Sequence, residues 1–137
     1  MNKIVLDTNV LVSALLTDGP PAAIVDMVAE GRLTPFYNDL IIAEYWNVLR
    51  RPKFAFHPLQ VTRMVDAIVR AGIAVAAVPR AARSGAPPMP DEDDRKFYDA
   101  AKTAPAFLIT GNIKHFPQEP FILTPADFLR KLQMSQR

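Results

Sequence analysis

Short apolar runs alternate along this chain with longer segments in which apolar residues recur every three to four positions. Ile4-Val5-Leu6 is the first such run. It ends in the polar Asp7-Thr8-Asn9, after which Val10, Leu11, Ala14 and Leu15 continue at helical spacing. That order predicts a strand, a polar turn and a helix. Asp18-Gly19-Pro20-Pro21 breaks the chain, and residues 22–31 predict a second helix with Gly31 as its stop. Leu33-Thr34-Pro35-Phe36-Tyr37 predicts a short strand that Pro35 confines to a sheet edge or a strand end. Asn38 or Asp39 can cap a third helix reaching residue 51, and a fourth covers 58–71 and stops at Gly72. Residues 73–78 read as a third strand, and 79–90, rich in Arg, Gly and Pro, as an exposed loop. A helix opening near Asp93, a strand over 106–109, a weak strand at Phe121-Ile122-Leu123 and a last helix capped by Thr124 complete the pattern.

This alternation predicts an α/β fold, a three-layer α/β/α sandwich with a mostly parallel central sheet, in one domain spanning residues 1–137. Right-handed crossovers carry the carboxyl ends of such strands to one edge, where open α/β sheets bind their ligands. Asp7, the acids around Asp94 and Asn112 are thereby expected to converge, and Glu44 can join them from the third helix. The acidic run Asp91-Glu92-Asp93-Asp94 also opens a helix, where the macrodipole favours negative charge. Carboxylates meeting without matched bases repel one another unless a cation neutralises them.

Composition narrows the choice of cation. The chain has no Cys and two His, His57 and His115, so ligation by oxygen favours Mg²⁺ or Mn²⁺ over zinc. Clusters of this kind serve phosphoryl transfer. The formal net charge of +2 is compatible with a nucleic-acid partner without locating it. No apolar stretch approaches the roughly 20 residues that span a bilayer, and no Cys suggests disulfides. A soluble, cytoplasmic protein is expected, with no membrane partner.

Leu6-Asp7-Thr8-Asn9-Val10, Ile42-Ala43-Glu44-Tyr45, Asp91-Glu92-Asp93-Asp94-Arg95-Lys96-Phe97 and Leu108-Ile109-Thr110-Gly111-Asn112 together resemble the PIN-domain ribonucleases. The likeness is greatest to the VapC-related branch, toxin components of toxin–antitoxin systems, and it covers essentially the whole chain in the family's order. It implies a Mg²⁺- or Mn²⁺-dependent endoribonuclease, with RNA, a cognate antitoxin and a second copy of the chain as partners. Asp7, Glu44 and Asp94 correspond to the family's metal-binding acids, with Asp91 and Asn112 as further metal candidates. The spacing from Asp94 to the Thr-Gly-Asn turn suits Asp94 better than Asp91 or Asp93. Many relatives carry Asp where Asn112 stands, and an amide brings no charge for a second metal unless Asp91 or Asp99 compensates. Asp99 lies five positions after Asp94, about 140° round the helix, and is expected to support a ligand or the fold rather than to bind the metal.

Thr8, Asn9, Arg51, Lys96, Lys114 and His115 are the candidates for contact with substrate. A rim of Arg50, Arg51, Lys53, Arg80, Arg83, Arg95, Lys96 and Lys114 would hold RNA phosphates, and Tyr45 or Trp46 could stack bases. Core packing is the stronger expectation for Trp46. The rival readings are a catalytically weakened PIN-like module that binds RNA or protein, and another phosphoryl-transfer enzyme on the same acids.

Overall fold

The computed structural model describes residues 2–79 and 87–135, so Arg80, Arg83 and most of the predicted 79–90 loop lie outside the described residues. Five strands, β1 (Lys3–Leu6), β2 (Thr34–Tyr37), β3 (Ile73–Ala74), β4 (Phe107–Ile109) and β5 (Ile122–Leu123), form one sheet in the order β3-β2-β1-β4-β5. All four pairings are parallel. Among the described residues six α-helices surround it: α1 (Thr8–Leu16), α2 (Pro20–Ala29), α3 (Asp39–Leu49), α4 (Pro58–Ala71), α5 (Arg95–Thr103) and α6 (Pro125–Ser135). The fold is the expected α/β/α sandwich.

The strands are short because each carries only enough apolar residues to cross the core once. Ile4, Val5, Leu6, Leu108 and Ile109 are fully buried, as a parallel sheet covered on both faces requires. Helix α5 packs on β1, β2 and β4 and touches α3, whereas α2 packs against α1, α4 and α6. The apolar faces of α2 and α4 are thus used within the chain: Ile24 and Val28 of one, and Val61, Val65 and Ile68 of the other, are buried. Gly31, at φ +77°, ends α2 in the left-handed conformation while the Arg32 N–H bonds back to the Met27 carbonyl. Asn38 caps α3 by accepting from the Ile41 N–H at 2.9 Å.

Two details depart from the expected pattern. Strand β2 is not an edge, since it lies between β1 and β3. Pro35 is tolerated there because its neighbour Thr34 donates towards β1, so the proline nitrogen faces β3, which pairs only from Phe36 onward. The third strand is two residues long rather than six, and both are exposed, with only the Val75 N–H extending the pairing to Tyr37. Exposed, short edge strands resist pairing with other chains.

Gly72 joins α4 to this edge strand at a point of close approach. A Cβ there would stand 2.4 Å from the Pro35 carbonyl oxygen and 2.7 Å from that of Ile68. Both neighbours are backbone, which cannot step aside as a side chain can. Gly72→Ala is expected to destabilise the fold by about 1–3 kcal/mol, the range for overpacking. A urea midpoint equal to that of the wild type would contradict this.

Candidate metal centre

The strand order reverses between β1 and β4, the place where open α/β sheets form a crevice. Asp7 follows the last residue of β1, and Thr110 follows the last residue of β4. The Asp7 N–H donates to the Ile109 carbonyl at 3.0 Å, which sets both chain ends side by side. Thr110, wholly buried, donates its hydroxyl to Asp7 Oδ2 at 2.8 Å and accepts the Asn112 N–H at 3.0 Å. Asn9 completes the clasp, giving its side-chain N–H to Asp7 Oδ2 and accepting the Gly111 N–H, each at 3.0 Å. Asp7 occupies the N-cap position of α1, and its carboxylate is held by the side chains of Thr110 and Asn9.

The other acids reach the same edge from two helices. Glu44 projects from α3, where Thr8 Oγ1 donates to its Oε2 and the Lys96 ammonium lies 2.8 Å from its Oε1. Asp94 ends a 3₁₀ turn, Glu92–Asp94, that leads into α5. Burial pushes the Asp94 carboxyl up to about 6, and the charges of Asp7, Asp91 and Glu44 push the same way, with His115 opposing them. Asp7 is also raised, first by burial and then by Glu44, against the lowering hydrogen bond from Thr110. Asp7, Glu44, Asp91 and Asp94 are therefore near enough for their charges to act on one another. Like charges gathered in this way are what a hard divalent cation relieves.

The donor set has a particular shape. Among the described residues, no three Asp, Glu or His side chains stand close enough to chelate one ion as a group. Both Glu44 oxygens are engaged, one by Thr8 and the other by Lys96. Asp7, buried, and Asp94, half-buried, remain as the carboxylates of this edge with no lysine against them among the described residues. Two carboxylates fit Mg²⁺, which is commonly held by one or two of them and keeps several waters.

The remaining candidates divide by exposure. Asp91 is exposed and caps the 3₁₀ turn, accepting from the Asp93 N–H at 3.0 Å. Asn112, Lys114 and His115 are exposed around a cavity of about 440 Å³ that Gly111 and Thr124 also line. His115 Nδ1 stands 3.7 Å from Asp94 Oδ2. Arg51 lies just beyond the end of α3 and lines, with Trp46, Asn47 and Arg50, a groove of about 470 Å³. The Arg50 guanidinium sits 4.2 Å from the centre of the partly buried Trp46 ring, which also packs on the core.

Two expectations are corrected. Tyr45 does not stack bases: it is 1% exposed and its hydroxyl donates to the Leu6 carbonyl at 2.6 Å, tying α3 to β1. Arg95 is not part of a phosphate rim, being 5% exposed, with Nε 2.5 Å from Glu92 Oε2 and Nη2 2.8 Å from the Pro87 carbonyl. Lys96 is half-buried at this edge, and its Nζ also donates to the Asp93 carbonyl at 2.6 Å. Asp99 is buried.

Residues 3–114 match the PIN domain family. The chain belongs to the PIN-domain family. The chain is also similar to the uncharacterized protein MJ1680 of Methanocaldococcus jannaschii, with 29% identity over 112 residues, covering 80% of this chain and 70% of that protein. PIN domains are generally metal-dependent nucleases, and membership supports a hydrolase of that kind.

Thr110 is the residue of this PIN domain that sequence reasoning undervalued. It was one of several polar residues at a strand end, yet its hydroxyl is what holds Asp7 Oδ2 in place. Groups that orient metal ligands typically contribute about 10–100-fold to metal affinity. Thr110→Val is therefore expected to weaken Mn²⁺ binding by roughly that factor while the protein stays folded. Calorimetric titration checks this, and unchanged affinity would show that Asp7 needs no such support.

Proposed function

We propose that this PIN domain is a Mg²⁺- or Mn²⁺-dependent endoribonuclease that hydrolyses RNA phosphodiester bonds, and that it acts as the toxin of a toxin–antitoxin pair. The observation that carries the catalytic reading is the meeting of Asp7 and Asp94 at the strand-order reversal, with each carboxyl raised by burial and by the other acids. Asp7 and Asp94 would hold the cation. Asp91 adds negative charge beside it, Glu44 stands paired with Lys96, and the Asn112 amide would hold a water while bringing no charge. When bound, such a cation activates water and neutralises charge developing on the phosphodiester.

The chain's own groups would do the rest. Thr110 and Asn9 fix the Asp7 carboxylate, and Thr8 fixes Glu44. Exposed His115 stands beside Asp94, Lys114 shares its cavity, and Arg51 lines a separate groove with Trp46, so each would offer a bound strand a phosphate contact. Phosphate contacts of this type position a strand without reading its sequence. An antitoxin is expected to act by covering this edge. A cytoplasmic setting accords with a role on cellular RNA, and among the described residues no single helix is long and apolar enough to cross a membrane.

The engagement of Glu44 by Lys96 and the neutral Asn112 favour a second reading, a PIN-like module that binds RNA or a protein without cutting. Inducible expression of wild type and Asp7→Asn in a bacterial host separates the two. The nuclease-toxin reading expects growth arrest with shortened cellular RNA from the wild type alone. Equal growth and intact RNA in both strains, at equal soluble protein, would favour the binding module.

A further inference from the structure

Lys96 lies in the first turn of α5, two residues beyond Asp94, and its side chain is 16% exposed. Its ammonium is surrounded by three electron-rich groups. Glu44 Oε1 stands at 2.8 Å, the Asp93 carbonyl oxygen at 2.6 Å, and the centre of the Phe97 ring at 5.4 Å. A carboxylate, a backbone carbonyl and a ring face are what a cation seeks when it is taken from water. A lysine that catches a passing phosphate instead stands in solvent, as Lys114 does.

We propose that Lys96 is a tethered cation that fills the second cation place of the acidic site, so that this chain takes one divalent ion and not two. The inference rests on the metal-dependent reading above and adds a number to it. The charges support it. Glu44 is the carboxylate that would complete a second site, and Lys96 neutralises it at contact distance. Asn112, exposed on the adjoining cavity, brings no charge. A second divalent ion near Glu44 would have to displace the ammonium or lie against it, and a unit positive charge at such range lowers its affinity by about tenfold or more. Among the described residues Lys96 makes its ion pair with Glu44 and not with Asp7 or Asp94, and those two take the one ion. Lys96 is thus a positioning residue, which acts through Glu44 rather than by touching substrate.

The test counts metal on the purified full chain. Mn²⁺ is titrated near neutral pH, by calorimetry for stoichiometry and by electron paramagnetic resonance for coupling between ions. Wild type and Lys96→Arg are expected to bind one Mn²⁺ with an uncoupled signal. Lys96→Met is expected to bind a second Mn²⁺, with the exchange-broadened signal of a close pair; Lys96→Gln serves if the methionine variant does not fold. A merely structural lysine would change stability without changing the count. Two ions on the wild type, or one ion of unchanged affinity on the folded Lys96→Met and Lys96→Gln proteins, would overturn the inference alone. No Mn²⁺ on any of these proteins would overturn the metal-dependent reading, and this inference with it.

Discussion

Asp94→Asn is expected to abolish metal-dependent RNA cleavage, by at least about 10²-fold, the upper range for disturbing a metal ligand's surroundings, and at the same time to stabilise the metal-free protein. The two effects have one cause. The Asp94 carboxyl is pushed to about 6 from an ordinary 3.8 because burial and three neighbouring acids disfavour its charge. Between those values the folded chain holds a proton that the unfolded chain has released. Stability due to this group is therefore full below about pH 4 and falls as pH rises through about 6. A shift of two units corresponds to roughly 3 kcal/mol, and partial exposure to water reduces it to the order of 1 kcal/mol. Asparagine carries no charge to repel, so the variant should gain about that much above pH 6 and lose the slope. Mn²⁺ should reverse the order, because the cation binds the ionised carboxylate and stabilises only the wild type. Thermal unfolding of both proteins in EDTA and in Mn²⁺, across this pH range, reads all three effects. A variant no more stable than wild type in EDTA would mean that the Asp94 charge is already relieved.

Phe97→Ala is expected to have the largest effect on folding. Phe97 is fully buried on α5, and its ring stacks on Tyr45 with centroids 6.5 Å apart and planes 26° from parallel. Tyr45 in turn holds the Leu6 carbonyl, the residue immediately before Asp7. Removing a buried aromatic side chain typically costs about 3–5 kcal/mol. That is a large part of the roughly 5–15 kcal/mol that holds a domain together. The damage should extend to the site, since α5 is seated on β1, β2 and β4 and carries Asp94 at its start. Denaturant unfolding is the check, with Phe97→Leu as a milder companion. A loss below about 1 kcal/mol for the alanine variant would show that the Tyr45–Phe97 stack does not anchor α5.

Much of this site was legible in the chain itself, because parallel topology turns sequence position into place. Any polar residue just past a short apolar run must lie at the same sheet edge. Asp7 and Thr110 each follow such a run, and the Asp94 turn opens the helix that packs across β1 and β4. What sequence hid was the direction of side chains. Arg95 and Lys96 are adjacent cations in an acidic run and look alike as letters. Glu92, one turn before Arg95, draws the first inward, and Glu44, fifty-two residues away in sequence, draws the second. Only the first of those partners could have been found by helical spacing. Tyr45 was ambiguous for a similar reason, since its hydroxyl partner is a backbone carbonyl on β1 that no pattern of side chains reveals. Pro35 misled about the sheet order because proline excludes one hydrogen bond, not two. Its free side faces a neighbour that starts one residue later.

The most direct test of the central claim is cleavage of a mixed panel of single-stranded RNAs by the purified wild type with Mg²⁺ or Mn²⁺, beside Asp94→Asn and an EDTA control. The account predicts cutting that requires the metal and disappears in the variant. A folded, partner-free wild type that leaves every RNA intact, or cutting that survives in Asp94→Asn, would contradict it.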